Sequence, residues 1–132
     1  MNKKYNLFLD DFREPSDAFW ITYNTMYNKL NWEIVRDFEE FKNFVEKHGK
    51  DISIISFDHD LADSHYVYGE PDYNQYQEKT GYHCAIWFCD YFLKNISKYL
   101  TDFPKTFCHS QNTIGKDNIE IYIRNFKRHD LT

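Results

Sequence analysis

Short apolar runs of strand length alternate along this chain with stretches in which apolar residues recur every three or four positions. Tyr5-Asn6-Leu7-Phe8-Leu9 is the first run, and it stops abruptly at Asp10-Asp11. Trp32-Glu33-Ile34-Val35-Arg36 is the second. Ile52-Ser53-Ile54-Ile55-Ser56-Phe57 is the third and runs into Asp58-His59-Asp60; Lys105-Thr106-Phe107-Cys108 is a short fourth that delivers His109-Ser110. Between them the period changes. Asp37 is placed to cap a helix through about Lys47, with Phe38, Phe41, Phe44 and Val45 at helical spacing and Gly49 at its end. Thr80 caps a second helix, roughly Gly81 to Ser97. After a turn at Asn112 to Gly115, a third covers about Lys116 to Arg128, with Ile119, Tyr122, Ile123 and Phe126 on one side. Ser16 to Asn31 carries the weakest pattern and is read as an irregular helix around Asp17 to Tyr27. Residues 61–80 show no period and hold Tyr66, Tyr68, Tyr73 and Tyr76. An aperiodic stretch of that length inside a compact domain is expected as a lid or substrate loop.

Strands alternating with amphipathic helices imply βαβ units, right-handed crossovers and a parallel sheet. Four strands have the natural order 2-1-3-4, a doubly wound α/β arrangement. Ligands in such sheets bind beyond the carboxyl ends of the strands, where the strand order reverses. Here that point lies between the first and third strands.

Composition narrows the classes. The 132 residues fit one domain, 1–132, long enough to bury roughly two-thirds of its unfolded surface. Hydrophobic residues at 42% and aromatics at 20% exclude a disordered chain. A net charge of −5 argues against duplex DNA, which needs clustered cations; a nucleotide or an RNA end needs only one or two. Cys84, Cys89 and Cys108 form no CxxC pair and are odd in number, which suits a reducing compartment. The N-terminal apolar stretch is too short for a signal peptide and no run has transmembrane length, so a cytoplasmic location without a membrane partner is expected.

Three loaded strand ends carry the candidate chemistry. Asp10, Asp11 and Asp58 brought close would repel by roughly 4 kcal/mol per pair at an effective dielectric near 20. A bound cation, a raised carboxylate pKa or a nearby Arg or Lys offsets that. With Asp60, these hard oxygen donors suit Mg²⁺ or Mn²⁺. His59 and His109, at adjacent strand ends, are the candidate acid–base pair, because imidazole titrates near neutral pH. Arg13 is either a counter-ion for the acids or a clamp for phosphate. Ser110, Asn112 and Lys116 stand at the mouth of the last helix, where backbone N–H groups favour an anion, unless Asn112 merely caps the helix.

Asp10-Asp11 and Asp58 resemble the metal-binding acids and phosphoryl-acceptor aspartate of two-component response regulators. LFLDDFREP, SFDHDL, TGYHCAIWF and HSQNTIGKDNI resemble, more narrowly, the signature blocks of the cyclic-phosphate processing receiver-like domains. That resemblance runs from about Tyr5 to Ile123. It implies a receiver-like (flavodoxin-like) fold and a phosphodiesterase-like action on cyclic phosphates of nucleotides or RNA ends. The residues carried over are Asp10, Asp11, Arg13, Asp58, His59, Asp60, His109, Ser110 and Asn112. The expected machinery is catalytic His59, His109 and Asp58; substrate-binding Arg13, Ser110, Asn112 and Lys116; and a divalent metal on Asp10, Asp11, Asp58 and Asp60. Two alternatives stand beside it: a non-catalytic cyclic-nucleotide sponge, which would suit an antagonist of immune signalling, and a phospho-accepting signalling receiver.

Overall fold

The four apolar runs pair into a single parallel sheet in a computed structural model of the chain, which describes residues 4–61, 79–99 and 101–131. Strands β1 (Tyr5–Leu9), β2 (Glu33–Val35), β3 (Ile52–Phe57) and β4 (Lys105–Cys108) lie in the order β2-β1-β3-β4. All three pairings are parallel, with Leu9 opposite Val35 and Phe57, and Phe57 opposite Cys108. The carboxyl ends of the strands are therefore level, and the residue following each one falls on a common rim.

The pleat divides the core. Leu7 and Leu9 of β1 point to one face with Ile52, Ile55 and Phe57, against α3 (Phe38–His48), α4 (Gly81–Tyr91) and α5 (Thr113–His129). Phe41, Val45, Cys84, Phe88, Ile119 and Ile123 fill that layer, and burial of each large apolar side chain contributes roughly 1.5–3 kcal/mol. Phe8 points to the opposite face, where it packs with Ala18 of α1 (Pro15–Thr22) and Tyr27 of α2 (Met26–Lys29). Trp32, Phe19, Met26 and Ile34 complete this smaller aromatic layer. It brings Tyr27 onto the sheet beneath the rim.

Local chemistry sets the helix limits. Asp37 caps α3 by accepting from Glu40 N, and Thr80 caps α4 by accepting from His83 N. Asn112 accepts from Gly115 N, so α5 begins at Thr113, three residues before the position read from its apolar period. At its far end α4 stops at Tyr91, and the winding continues as a π-helical turn over Phe92–Ile96 and a 3₁₀ turn over Ser97–Tyr99. The single irregular helix read over Asp17 to Tyr27 is two, separated at Tyr23. That residue ends α1 in the left-handed region at φ 58°, donating its N–H to Phe19 O.

Tyr23 is mostly exposed, so its backbone conformation costs free energy with little burial in return. Tyr23→Asn, which tolerates that region better, should raise stability by about 1 kcal/mol, read as a higher urea midpoint at unchanged slope. All three cysteines are buried and unpaired. Among the described residues no helix is long and apolar enough to cross a membrane.

Candidate functional site

Sheet hydrogen bonding extends one residue past the strands. Asp10 N donates to Val35 O, Asp58 N to Leu9 O, and His109 N to Phe57 O. Asp10, Asp58 and His109 are thus placed by the ladder itself, side by side on the rim, with their side chains on the Phe8 face. The His109 ring stacks on Phe8, centroids 4.4 Å apart and 8° from parallel. Donor atoms of Asp10, Asp58 and His109 all lie within 4.8 Å of one another.

Asp10 is fully buried, and both of its carboxylate oxygens accept hydrogen bonds. Its Oδ1 accepts from the backbone N–H groups of Phe12 (3.0 Å) and Arg13 (2.9 Å), and its Oδ2 from His109 Nε2 (3.0 Å). Arg13 Nη1 stands 4.0 Å from Oδ2. Burial alone would raise the Asp10 pKa; the bonds from His109, Arg13 and Phe12 outweigh it and hold the group below the usual carboxylate value. Asp58 lies in the opposite situation. Its Oδ1 accepts from the His59 N–H, while burial, reinforced by the negative charges of Asp10 and Asp60, pushes its pKa up to about 7.

Both candidate histidines lie inside the wall of the site, with side chains 0% exposed. His109 Nδ1 meets Ser56 Oγ at 2.7 Å, and Ser56 Oγ meets the Tyr27 hydroxyl at 2.6 Å. Burial lowers the His109 pKa, so the ring is neutral at pH 7. His59 Nδ1 meets Asp60 Oδ1 at 2.9 Å, and Asn112 Nδ2 donates to the same oxygen at 3.3 Å. Asn112 therefore performs two tasks, capping α5 and tying its start to the end of β3. Ser110 Oγ accepts from Asn112 N and stiffens the same loop.

Arg13 spans the mouth. Its Nη2 donates to Gln111 Oε1 at 2.9 Å, joining the loop after β1 to the loop after β4, and its guanidinium lies over Phe12. Arg36 holds that first loop, donating to the carbonyls of Asp10 and Arg13 and pairing with Glu14 at 3.1 Å. Lys116 lies half-buried in the first turn of α5, four residues after Asn112.

Of the four carboxylates expected to share a metal, Asp10 and Asp58 belong to the close group; Asp60 instead faces His59 and Asn112, and Asp11 is half-buried beside Asp10 in sequence. Tyr27, Ser56, Gln111 and Arg36 were not singled out from the sequence. Ser56 left a signal there, as a hydroxyl in a buried strand two residues before Asp58 and hence on its face. Tyr27 left none, because its segment has no readable period. Nearly all of the stretch 61–80, with its tyrosines and His65, lies outside the described residues.

A carboxylate held ionised, a second driven toward neutrality, a neutral imidazole and the Arg13 guanidinium thus converge at the switch point of the sheet. Residues 5–125 match the family model of the cyclic-phosphate processing receiver domain, and the chain belongs to that family. Neither the curated proteins nor the solved structures give a match.

Proposed function

We propose that this member of the cyclic-phosphate processing receiver domains is a phosphodiesterase that opens a cyclic phosphate on a nucleotide or an RNA end. The observation that carries the reading is the gathering of Asp10, Asp58 and His109 within 4.8 Å at three strand ends. Two carboxylates this close, one of them driven to a pKa of about 7, make a donor set that a hard divalent cation would relieve. Asp10 and Asp58 are the residues that would hold Mg²⁺ or Mn²⁺, and such an ion polarises phosphoryl oxygens.

The remaining work falls to the chain itself. Water adds to phosphorus, one of the two ring P–O bonds breaks, and the departing oxygen takes a proton to leave a phosphomonoester. With Asp58 ionised as a ligand of the cation, that proton comes from water. Arg13 at the mouth neutralises charge on the phosphoryl oxygens, and the start of α5, with Ser110, Asn112 and Lys116, favours the anion. His109 holds Asp10 as its hydrogen-bond partner, and His59 holds Asp60. In this reading the two histidines, expected from the sequence to exchange protons with substrate, instead orient carboxylates.

³¹P NMR of the protein with Mg²⁺ or Mn²⁺ tests this on 2′,3′-cyclic and 3′,5′-cyclic mononucleotides and on an RNA ending in a 2′,3′-cyclic phosphate. A new phosphomonoester resonance is expected, with Arg13→Ala lowering kcat/KM by about 10²-fold. Intact substrates with shifted resonances would replace this reading with binding alone. Unshifted substrates, with labelling of Asp58 by acetyl phosphate, would replace it with a phosphoryl-accepting receiver.

A further inference from the structure

Beneath the rim, Tyr27, Ser56, His109 and Asp10 form one continuous buried chain of hydrogen bonds, at 2.6, 2.7 and 3.0 Å. The Tyr27 hydroxyl meets Ser56 Oγ, and among the described residues it has no further hydrogen-bond partner. Ser56 Oγ has two partners, Tyr27 and His109 Nδ1. The hydrogens of such a chain can be counted. A buried phenol hydrogen needs an acceptor, and Ser56 Oγ is the one within reach. The Ser56 hydrogen then goes to His109 Nδ1, which must be bare. The imidazole proton is left on Nε2, facing Asp10 Oδ2. In this arrangement every hydrogen has an acceptor.

The other arrangements fail the count. With the proton on Nδ1, both Tyr27 and His109 donate to Ser56 and the serine hydrogen is stranded in the core, at a cost of roughly 1–3 kcal/mol. Nε2 would then turn a lone pair toward the Asp10 carboxylate at 3.0 Å. The same holds if Nε2 is to bind a cation, since that also requires the proton on Nδ1. Asp10 and the Tyr27–Ser56 pair act on the ring from opposite sides and demand the same form.

We infer that Tyr27 and Ser56 are positioning residues that lock His109 in its Nε2–H form, making it a hydrogen-bond donor to Asp10 and not a cation ligand or a proton acceptor for substrate. The close group of three donors therefore reduces to two carboxylates with an imidazole behind them, the arrangement by which outer partners orient metal ligands. The aromatic layer of α1 and α2 acquires a purpose: it carries the phenol that sets the polarity of the chain.

Long-range ¹H–¹⁵N correlation of the His109 ring, recorded without substrate, tests this directly and independently of whether the site turns over a phosphodiester. In the wild type Nε2 should carry the proton and Nδ1 should be bare, and addition of Mg²⁺ should leave that pattern unchanged. A proton on Nδ1, or loss of the Nε2 proton on adding Mg²⁺, overturns the inference. Asp10→Ala removes one of the two constraints without adding a donor and should retain the Nε2–H form. The double variant Asp10→Ala/Tyr27→Phe removes both and should show a mixture of the two forms. If the single variant already changes form, or the double variant does not, Tyr27 and Ser56 are not what lock it. The two wild-type spectra decide the ligand question even where a variant fails to fold.

Discussion

Asp58→Asn should make the protein more stable at pH 8 than the wild type, relative to pH 4, by about 4 kcal/mol. Asp58 is 3% exposed, and burial beside Asp10 and Asp60 pushes its pKa from 3.8 up to about 7. A shift of that size, at about 1.36 kcal/mol per pKa unit, corresponds to the figure given. The sign follows from proton uptake. Between pH 4 and 7 the folded chain holds a proton on Asp58 that the unfolded chain has lost, so stability falls as pH rises through this window. Below pH 4 both states are protonated and the cost vanishes. Asn never ionises, so its variant lacks this slope. His109 has its pKa lowered by burial and contributes the opposite trend below about pH 6.5, but it does so in both proteins and cancels in the difference. Urea unfolding of both proteins from pH 4 to 8 measures it. A difference that stays flat across the range would mean that Asp58 is not held against its own charge. With Mg²⁺ present at pH 8, the wild type should recover stability as the ion is bound and the Asn variant should not.

Gly81→Ala should be the most damaging of the glycine-to-alanine substitutions among the described residues, costing about 3 kcal/mol or more of a stability that totals roughly 5–15 for domains of this kind. A Cβ at residue 81 would lie 1.7 Å from the Asp58 carbonyl oxygen and 3.0 Å from His59 Cα, so backbone must move. The residues displaced are those of the site, and the Gly81 N–H bond to His59 O at 2.7 Å would be strained with them. Gly115→Ala meets the His59 ring at 2.2 Å, and that ring is held by Asp60. Gly49→Ala is the control: its close contact is the tip of the flexible Ile96 side chain at 2.7 Å, and its φ of −53° is ordinary. Thermal melts should order the losses 81, then 115, then 49, with the last near zero. Equal shifts at 81 and 49 would show that the close approach at the rim is relaxed in solution.

These glycines illustrate how far the sequence could be read. Gly49, Gly81 and Gly115 were legible as punctuation near helix ends, and each does stand near one. Their reason is different. Gly81 and Gly115 leave room for the Asp58–His59 backbone and the His59 ring, which is a contact between elements distant in the chain and leaves no local trace. Asn112 shows the same division. Its capping role could be read from its place before an apolar period, but its bond to Asp60 depends on where the loop after β4 meets the end of β3.

Four strands, their parallel order and the level of their ends were determined by the sequence itself, because each rests on a local pattern: a short apolar run, a change to helical period, a capping residue. Once the order β2-β1-β3-β4 is in place, the residue after each strand must sit on one rim, so the meeting of Asp10, Asp58 and His109 was implied as well. What the tertiary structure alone decided is the state of each group there. Asp10 and Asp58 are the same residue type at equivalent strand ends, yet one is held below the ordinary carboxylate value and the other driven up to about 7. The physical reason is that a charge state depends on burial and on donors from other elements: the two backbone N–H groups and His109 that serve Asp10, and the two neighbouring carboxylates that oppose Asp58. The Tyr27–Ser56 chain behind His109 belongs to the same class, assembled across residues far apart in sequence and visible only once the sheet and its helices are packed.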